Sequence, residues 1–320
     1  MTTKTGTHDS AQRILSDPLS GREVIFAPSR TLRPGHFETR REPEASDEAG
    51  KCPFCEGREQ QTPPELFALG AAKGREPDTP GWKVRVVPNL YPAFARQQVV
   101  VHTPTHIRSL ADVSDEQLVL IAESWAEAAE RAWAKGFDHL LAVVNEGKAS
   151  GASLPHSHSQ LVWLEQAPPE VAAEAPRLRR DSCALCALLH DLDPALKLAE
   201  RRLGDRTVSL AVAPTGRAPY ELLIAPDDHQ PDAFGSSELL GAALALAAEG
   251  VRRLNAVEGP SPFNIWLHNF QQDGHWHLEL VPRLTVFAGI ELGAGIYINT
   301  LPPEEAAARL REALPKSRSR

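Results

Sequence analysis

The sequence lacks an apolar run long enough to cross a membrane, and it lacks the excess of basic residues typical of nucleic-acid-binding proteins. Its 320 residues include 34 lysines and arginines against 42 aspartates and glutamates, which gives a formal net charge of −8. Broad nucleic-acid binding needs a basic surface, and a membrane span needs about 20 consecutive apolar residues. We therefore expect neither nucleic acid nor a membrane among its partners.

The first residues, MTTKTGTHDSAQR, also lack the apolar segment of a secretory signal. We therefore expect a cytoplasmic protein. The composition is 42% hydrophobic and 24% charged, as in ordinary globular proteins. A chain of 320 residues is long enough for one large domain or two fused ones.

Cysteine is scarce, and its four positions form two close pairs. Cys52 and Cys55 enclose Pro-Phe, and Cys183 and Cys186 enclose Ala-Leu. In a reducing compartment such a pair is more often a pair of metal ligands or a redox pair than a structural disulfide. Because the thioredoxin-like context of a redox pair is missing, we interpret both pairs as metal ligands.

Both cysteine pairs are followed by the same order of predicted elements. Each pair precedes an apolar block and a first histidine, and then a helix, a buried strand and a second histidine. A duplicated module is the simplest explanation. The sequence therefore predicts an α+β fold of two similar halves, each with an antiparallel sheet and packed helices. The predicted halves are residues 1–165 and 182–320, joined by a connector over 166–181.

The repeat assigns two sets of metal ligands. Two cysteines and two histidines are the donor set of a closed structural zinc site. Taken alone, His106 or His229 is better explained as a polar residue at a strand end, but their parallel placement favours ligands. The first predicted site is Cys52, Cys55, His106 and His156, and the second is Cys183, Cys186, His229 and His275.

The segment NEGKASGASLPHSHSQ, residues 145–160, carries the candidate chemistry. Its residues His156, His158 and Gln160 are two apart, so in an extended strand they share one face. The preceding glycine- and serine-rich loop offers backbone N–H groups for an anion. A neutral imidazole at His158 is a nucleophile suited to a phosphoryl centre, and the Gln160 amide is a donor for its oxygen atoms. The alternative is that both residues form the polar face of an edge strand.

The second half carries a related but altered pattern, His275-Trp-His277-Leu-Glu279. Here Trp276 and Leu278 surround the second histidine, and the carboxylate of Glu279 would repel a phosphate. We therefore predict one catalytic half and one degenerate half.

These patterns resemble the galactose-1-phosphate uridylyltransferase family, a branch of the histidine triad superfamily. The resemblance extends over about residues 13–311, and its NLYPA, second Cys-x-x-Cys and ELGAGIYIN elements are most similar to the branch that includes plant ADP-glucose phosphorylase. It rests on CPFC (52–55), VVPNLYPA (86–93), NEGKASGASLPHSHSQ (145–160), CALC (183–186), YELLIAP (220–226), HWHLELVP (275–282) and IELGAGIYIN (290–299).

The resemblance implies roles for individual residues. The family pattern His-Pro-His-x-Gln falls on residues 156–160 and makes His158 the covalent nucleotidyl carrier and His156 a zinc ligand. The chain departs from it at Ser157, where the family usually has proline; we expect altered rigidity with the chemistry retained. The positions that the resemblance assigns to substrate are Asn89, Asn145, Ser153, Glu291, Arg30 and Arg33.

The second metal position varies within the family. Classical uridylyltransferases resemble this chain at Glu174, His268, His277 and Glu279, where they hold iron through one glutamate and three histidines. Because Glu279 stands in place of a histidine and the second cysteine pair offers other metal ligands, we expect zinc at one or both Cys-Cys-His-His sets, with iron the less favoured alternative. His277 is then expected to be structural.

The resemblance implies a nucleotidylyltransferase of galactose metabolism, working as a cytoplasmic homodimer. The leading hypothesis is uridylyl transfer between UDP-glucose and hexose-1-phosphate by a ping-pong reaction. The alternatives are adenylyl transfer from ADP-glucose to inorganic phosphate and, after it, a dinucleoside polyphosphate phosphorylase. A zinc-stapled binding module is the alternative from outside the enzymes, and the acidic net charge counts against it.

Overall fold

The structure, a computed structural model, describes residues 13–32 and 39–313. The fold is α+β, as the sequence predicts. The strands are β1 (Arg13–Ser16), β2 (Glu23–Phe26), β3 (Phe67–Leu69), β4 (Val84–Pro88), β5 (Gln97–Val101), β6 (His139–Glu146), β7 (His158–Leu164), β8 (Lys197–Leu203), β9 (Arg206–Val212), β10 (Leu222–Pro226), β11 (Phe263–His268), β12 (His277–Pro282) and β13 (Ile296–Asn299). The helices are α1 (Glu48–Lys51), α2 (Asp115–Trp133), α3 (Pro169–Glu174), α4 (Ala184–His190), α5 (Ser237–Glu258), α6 (Gly289–Ala294) and α7 (Pro303–Glu312).

Ten strands form one antiparallel sheet in the order β3-β4-β5-β7-β6-β11-β12-β10-β9-β8. Strands β6 and β11 meet in its centre, and the order on one side repeats in reverse on the other. This is the arrangement that two copies of one module give when they join edge to edge. The exact boundaries of the two halves stay a prediction. Strands β1, β2 and β13 form a separate small sheet.

Helices α2 and α5 pack against one face of the large sheet and against each other. Each begins at a serine whose side chain accepts a hydrogen bond from the backbone, Ser114 in α2 and Ser236 in α5. Their contact leaves no space for a larger residue at Gly241, where a Cβ would lie 2.8 Å from Val119. Within the described residues, no helix has the length and apolarity that a bilayer span requires.

Side chains alternate between the two faces of strand β7, and the candidate catalytic residues lie on the face opposite these helices. Ser159 points to the helices, since its Oγ accepts a hydrogen bond of 2.9 Å from the indole Nε1 of the fully buried Trp125 in α2. The neighbours His158 and Gln160 therefore point to the other face. Packing of the helices thus fixes which side of the sheet receives the candidate catalytic residues.

Candidate active site and metal clusters

The first predicted ligand set is assembled in the structure. The Nδ1 atom of His156 lies 3.3 Å from the Sγ of Cys52 and 3.7 Å from the Sγ of Cys55, and His106 Nδ1 lies 3.5 Å from Cys55 Sγ. All four donor atoms lie within 4.8 Å of one another. These residues come from three separate parts of the fold, so the tertiary structure has brought them together.

The outer nitrogen atoms of both histidines have partners that fix the ring orientation. His156 Nε2 donates to the Thr103 carbonyl at 3.0 Å, and His106 Nε2 lies 2.9 Å from Glu48 Oε1. The Nδ1 atoms are therefore left to face the cysteines, as metal-bound histidines do. Burial lowers the pKa of His156 to about 4, helped by the neighbouring His106, so the ring is neutral as a ligand must be.

The second predicted set repeats this geometry. His275 Nδ1 lies 3.3 Å from Cys186 Sγ and 3.6 Å from Cys183 Sγ, and its Nε2 donates to the Pro226 carbonyl at 3.0 Å. His229 Nδ1 lies 3.7 Å from Cys186 Sγ. In both sets the two imidazole rings are 5.2 Å apart.

The donor chemistry of both sets fits a soft divalent ion. Burial and the adjacent thiol raise the pKa of Cys55 and of Cys186 to about 12, so a cation is needed to hold two thiolates side by side. Two sulfurs and two imidazole nitrogens are the donors that tetrahedral zinc prefers. The structure thus contains two Cys₂His₂ groups suited to a metal ion.

A third cluster of possible ligands lies in the second half. Glu174 accepts a hydrogen bond of 2.7 Å from His268 Nδ1 and lies 3.7 Å from His277 Nε2, and all three residues are buried. Glu279, which stands at the fourth position of the classical iron set, is not part of the cluster. Glu279 instead accepts hydrogen bonds from Arg217 and from the indole of Trp266. Burial alone would raise the pKa of Glu279, but the positive charges of Arg217 and His268 hold that pKa well below its usual range.

His158 is oriented for attack by its own backbone neighbour. Its Nδ1–H donates to the His156 carbonyl at 2.7 Å, so the lone pair is on Nε2. Burial lowers the pKa of His158, which keeps the ring neutral near pH 7. The sequence predicts His156, His158 and Gln160 on one face, but strand β7 begins only at His158. His158 and Gln160 face the cavity, whereas His156 belongs to the first metal group.

His158 faces a cavity of about 470 Å³. This volume is in the range of small-molecule sites. The candidate residues Gln160, Asn89 and Ser153 line the same cavity. The rest of the lining comes from the first Cys-x-x-Cys loop, residues 61–63, strands β4 and β5, the NLYPA loop and the loop before β7. It consists of Pro53, Phe54, Gln61, Thr62, Pro63, Val87, Pro88, Leu90, Tyr91, Gln97, Val99 and Leu154.

The loop before β7 is held from the second half of the chain. Asn264 of β11 donates through Nδ2 to Asn145 Oδ1 at 2.7 Å and to the Ser150 carbonyl at 2.9 Å. Gly147 has φ +84° and would place a Cβ 2.8 Å from Pro262, so this position requires glycine. Asn264 thus connects Asn145 to this loop, and Asn145 is not among the residues that line the His158 cavity.

Two of the predicted substrate residues lie elsewhere. Arg30 and Glu291 line a separate cavity of about 120 Å³ on the small sheet, together with Val286 and Phe287. The Glu291 carboxylate accepts a hydrogen bond from the Ala288 backbone at the start of α6. Arg33 lies outside the described residues. The chain therefore does not bring Arg30 or Glu291 into the His158 cavity.

Ser157 has two partners that proline would lack. Its N–H donates to the Ile107 carbonyl at 2.6 Å, and its Oγ lies 2.9 Å from Nδ1 of the fully buried His102. Nothing in the sequence distinguishes His102 from a surface histidine, so this contact is visible only in the structure. The backbone N–H that serine has and proline lacks is therefore used in a hydrogen bond.

Ser157→Pro should lower the free energy of unfolding by about 1–3 kcal/mol, because it leaves buried polar groups of His102 and Ile107 unpaired. Urea unfolding measures this change. Equal stability of the two proteins would contradict the proposed role of these hydrogen bonds.

At the corresponding position in the second half, His277 is fully buried. His277 Nδ1 donates to the His275 carbonyl at 3.2 Å, as His158 does to His156. The cavity beside Glu279, however, is only about 10 Å³, and Arg217, Arg22 and Trp266 surround that carboxylate. The difference is consistent with the predicted division into a catalytic half and a degenerate half.

The chain is similar in sequence to known nucleotide-sugar enzymes. A sequence profile for the N-terminal domain of galactose-1-phosphate uridyl transferase matches residues 90–169, which include β7 and its loop. ADP-glucose phosphorylase of Arabidopsis thaliana is 28% identical, over 95% of this chain and 93% of its own length. Galactose-1-phosphate uridylyltransferase of Thermotoga maritima is 27% identical, over 82% of this chain and 89% of its own.

Solved structures extend the likeness to the whole fold. The crystal structure of ADP-glucose phosphorylase from Arabidopsis thaliana with bound ADP-glucose gives a TM-score of 0.79 at 26% identity, over 94% of this chain and 98% of that chain. A uridylyltransferase structure gives a TM-score of 0.69 at 26% identity, over 94% and 98% of the two chains. The predicted family resemblance is therefore confirmed.

Proposed function

We propose that the chain, which is similar to members of the galactose-1-phosphate uridylyltransferase family, transfers a nucleotidyl group from a nucleotide sugar through a covalent intermediate on His158. The observation that carries the proposal is the orientation of His158. Its Nδ1–H is bound to the His156 carbonyl, and its ring lies at the wall of a cavity large enough for a nucleotide. A nucleophile in this state needs no separate base.

In the proposed first step, His158 Nε2 attacks the α-phosphorus of the nucleotide sugar. An N–P bond forms, the P–O bond to the sugar phosphate breaks, and hexose-1-phosphate leaves with the bonding electrons. In the second step, a phosphate oxygen of the acceptor attacks the same phosphorus, and the electron pair returns to Nε2. The Gln160 amide is placed to donate to a non-bridging oxygen as negative charge develops there.

We propose that both Cys₂His₂ groups hold structural zinc. A closed set of four protein ligands has no position for substrate, so the bound ion would stabilise the fold. In the first group it would hold His156, whose carbonyl orients His158. Of the four positions of the classical iron site, only Glu174, His268 and His277 lie together, because Glu279 is paired with Arg217.

The first candidate reaction uses UDP-glucose as the donor and hexose-1-phosphate as the acceptor. A second candidate, adenylyl transfer from ADP-glucose to inorganic phosphate, is favoured by the high similarity to the ADP-glucose phosphorylase structure. Both reactions use the same intermediate at His158, so the nucleotide found on the protein distinguishes them.

We expect one nucleotidyl adduct on the purified protein after it is mixed with a nucleotide sugar. Intact mass spectrometry separates a uridylyl from an adenylyl adduct by mass, and released hexose-1-phosphate should equal the adduct in amount. A uridylyl adduct supports the first candidate, and an adenylyl adduct supports the second. No adduct with either sugar would contradict the proposed chemistry.

A homodimer and a cytoplasmic location are also proposed. Arg30 and Glu291 line a surface cavity away from His158, and Val286, Ile290 and Leu292 near it are 53–81% exposed. A second copy of the chain covering this apolar surface would give those residues a role in substrate binding. Light scattering with size-exclusion chromatography tests for the dimer.

A further inference from the structure

Two glutamines connect the NLYPA loop to the phosphate-binding side of the cavity. The Ala93 backbone N–H donates to Gln97 Oε1 at 2.7 Å. The Gln97 side chain in turn donates through Nε2 to Gln160 Oε1 at 2.6 Å. Gln97 is at the start of β5 and Gln160 in the adjacent strand β7, where Val99 pairs with Gln160.

The direction of this chain of hydrogen bonds is forced by its first member. A backbone N–H only donates, so Gln97 must turn its oxygen toward Ala93. The nitrogen of Gln97 must then face Gln160, and Gln160 must accept with its oxygen. The NH₂ group of Gln160 then remains available as a donor, and no described residue accepts a hydrogen bond from it.

We propose that Gln97 is a positioning residue, which acts through Gln160 by holding the NH₂ group of that amide toward the transferred phosphoryl group. This inference rests on the proposed function, since it needs a phosphate in the His158 cavity. Without Gln97 the Gln160 amide has two orientations of similar energy, and only one of them presents a donor. An oriented donor that needs no reorganisation is the effective one in catalysis.

The same contacts connect the donor to the loop that borders the cavity. Asn89 N–H donates to the Gln97 carbonyl at 2.9 Å, and Asn89 Oδ1 accepts from the Tyr91 backbone at 2.9 Å. Tyr91 is 86% exposed and lines the cavity. A nucleotide that orders this loop would therefore also fix the Ala93 N–H and, through Gln97, the donor.

Gln97→Glu tests the proposal because it reverses the direction of the second hydrogen bond. A carboxylate still accepts from Ala93, but it also accepts from Gln160, which must turn its NH₂ group away from the phosphate. We expect the single-turnover rate of adduct formation, measured at saturating nucleotide sugar, to fall by about 100-fold or more. Gln97→Ala leaves Gln160 free to rotate, so it should cost less than Gln97→Glu. A merely structural role predicts the opposite order, because truncation removes more contacts than an isosteric change.

A double-mutant cycle with Gln160→Ala separates positioning from a direct effect of the new charge. If Gln97 acts through Gln160, adding Gln97→Glu to Gln160→Ala should change the rate by less than about 3-fold. Multiplicative losses in the double variant, or a near-wild-type rate for Gln97→Glu alone, would overturn the proposal. If instead the wild type formed no adduct, the proposed function would fall, and the positioning role with it. Unchanged melting temperatures of all variants show that the rates are those of folded protein.

Discussion

Replacement of His158 by alanine should abolish the nucleotidyl adduct and lower turnover by at least about 10⁴-fold, the size of effect seen when an enzyme loses its nucleophile. No other imidazole described in the structure lines the cavity with Gln160, Asn89 and Ser153. Removal of the ring deletes the attacking atom but leaves the surrounding contacts in place. Intact mass after incubation with UDP-glucose and with ADP-glucose, together with steady-state rates, measures both effects.

The matched control is His277→Ala, which removes the corresponding imidazole from the second half. His277 has the same backbone hydrogen bond as His158 but is fully buried beside Glu174. We expect this variant, in its folded fraction, to form the adduct on His158, as located by peptide mapping. An adduct on His158→Ala, or one mapped to His277, would show that the catalytic half has been wrongly assigned.

Cys52→Ser should lower the free energy of unfolding by more than about 4 kcal/mol and remove one metal ion per chain. Loss of a metal is among the few single changes that destabilise a protein this strongly. The first Cys₂His₂ group joins the Cys52–Cys55 loop, His106 and the residue before β7, so its loss frees three segments at once. Denaturant unfolding and metal analysis of the purified protein measure the two effects.

Cys183→Ser is the matched change in the second half. It should also remove one ion and reduce stability, but it should leave adduct formation nearly intact, because its partner His275 adjoins His277 and not His158. Cys52→Ser acts on His156, whose carbonyl orients the nucleophile, and should therefore reduce the adduct rate even in folded protein. Equal effects of the two variants on that rate would contradict the proposed link between the first metal group and His158.

The ligand sets were predictable because duplication gives the same information twice. A lone His106 at the end of a strand has no distinguishing feature, but a second histidine at the matching place in the other half identifies both. The strand alternation around residues 156–160 likewise predicted that His158 and Gln160 share a face, and the structure confirms this. The residues that surround them left no such signal. Glu48, Thr103 and His102 contact the site through pairings distant in sequence.

The sequence by itself determined the fold class, the pairing of cysteines with histidines and the motif of the candidate nucleophile, because each depends on residue type, spacing or repetition along the chain. The tertiary structure decided which half has room for a nucleotide, since this depends on what fills the space beside two similar strands. In the first half Gln97 orients Gln160 beside an open cavity, whereas in the second Arg217 and Trp266 bind Glu279 and close it. The Gln97–Gln160 and Arg217–Glu279 contacts join residues 63 and 62 positions apart, so no local pattern in the sequence encodes them.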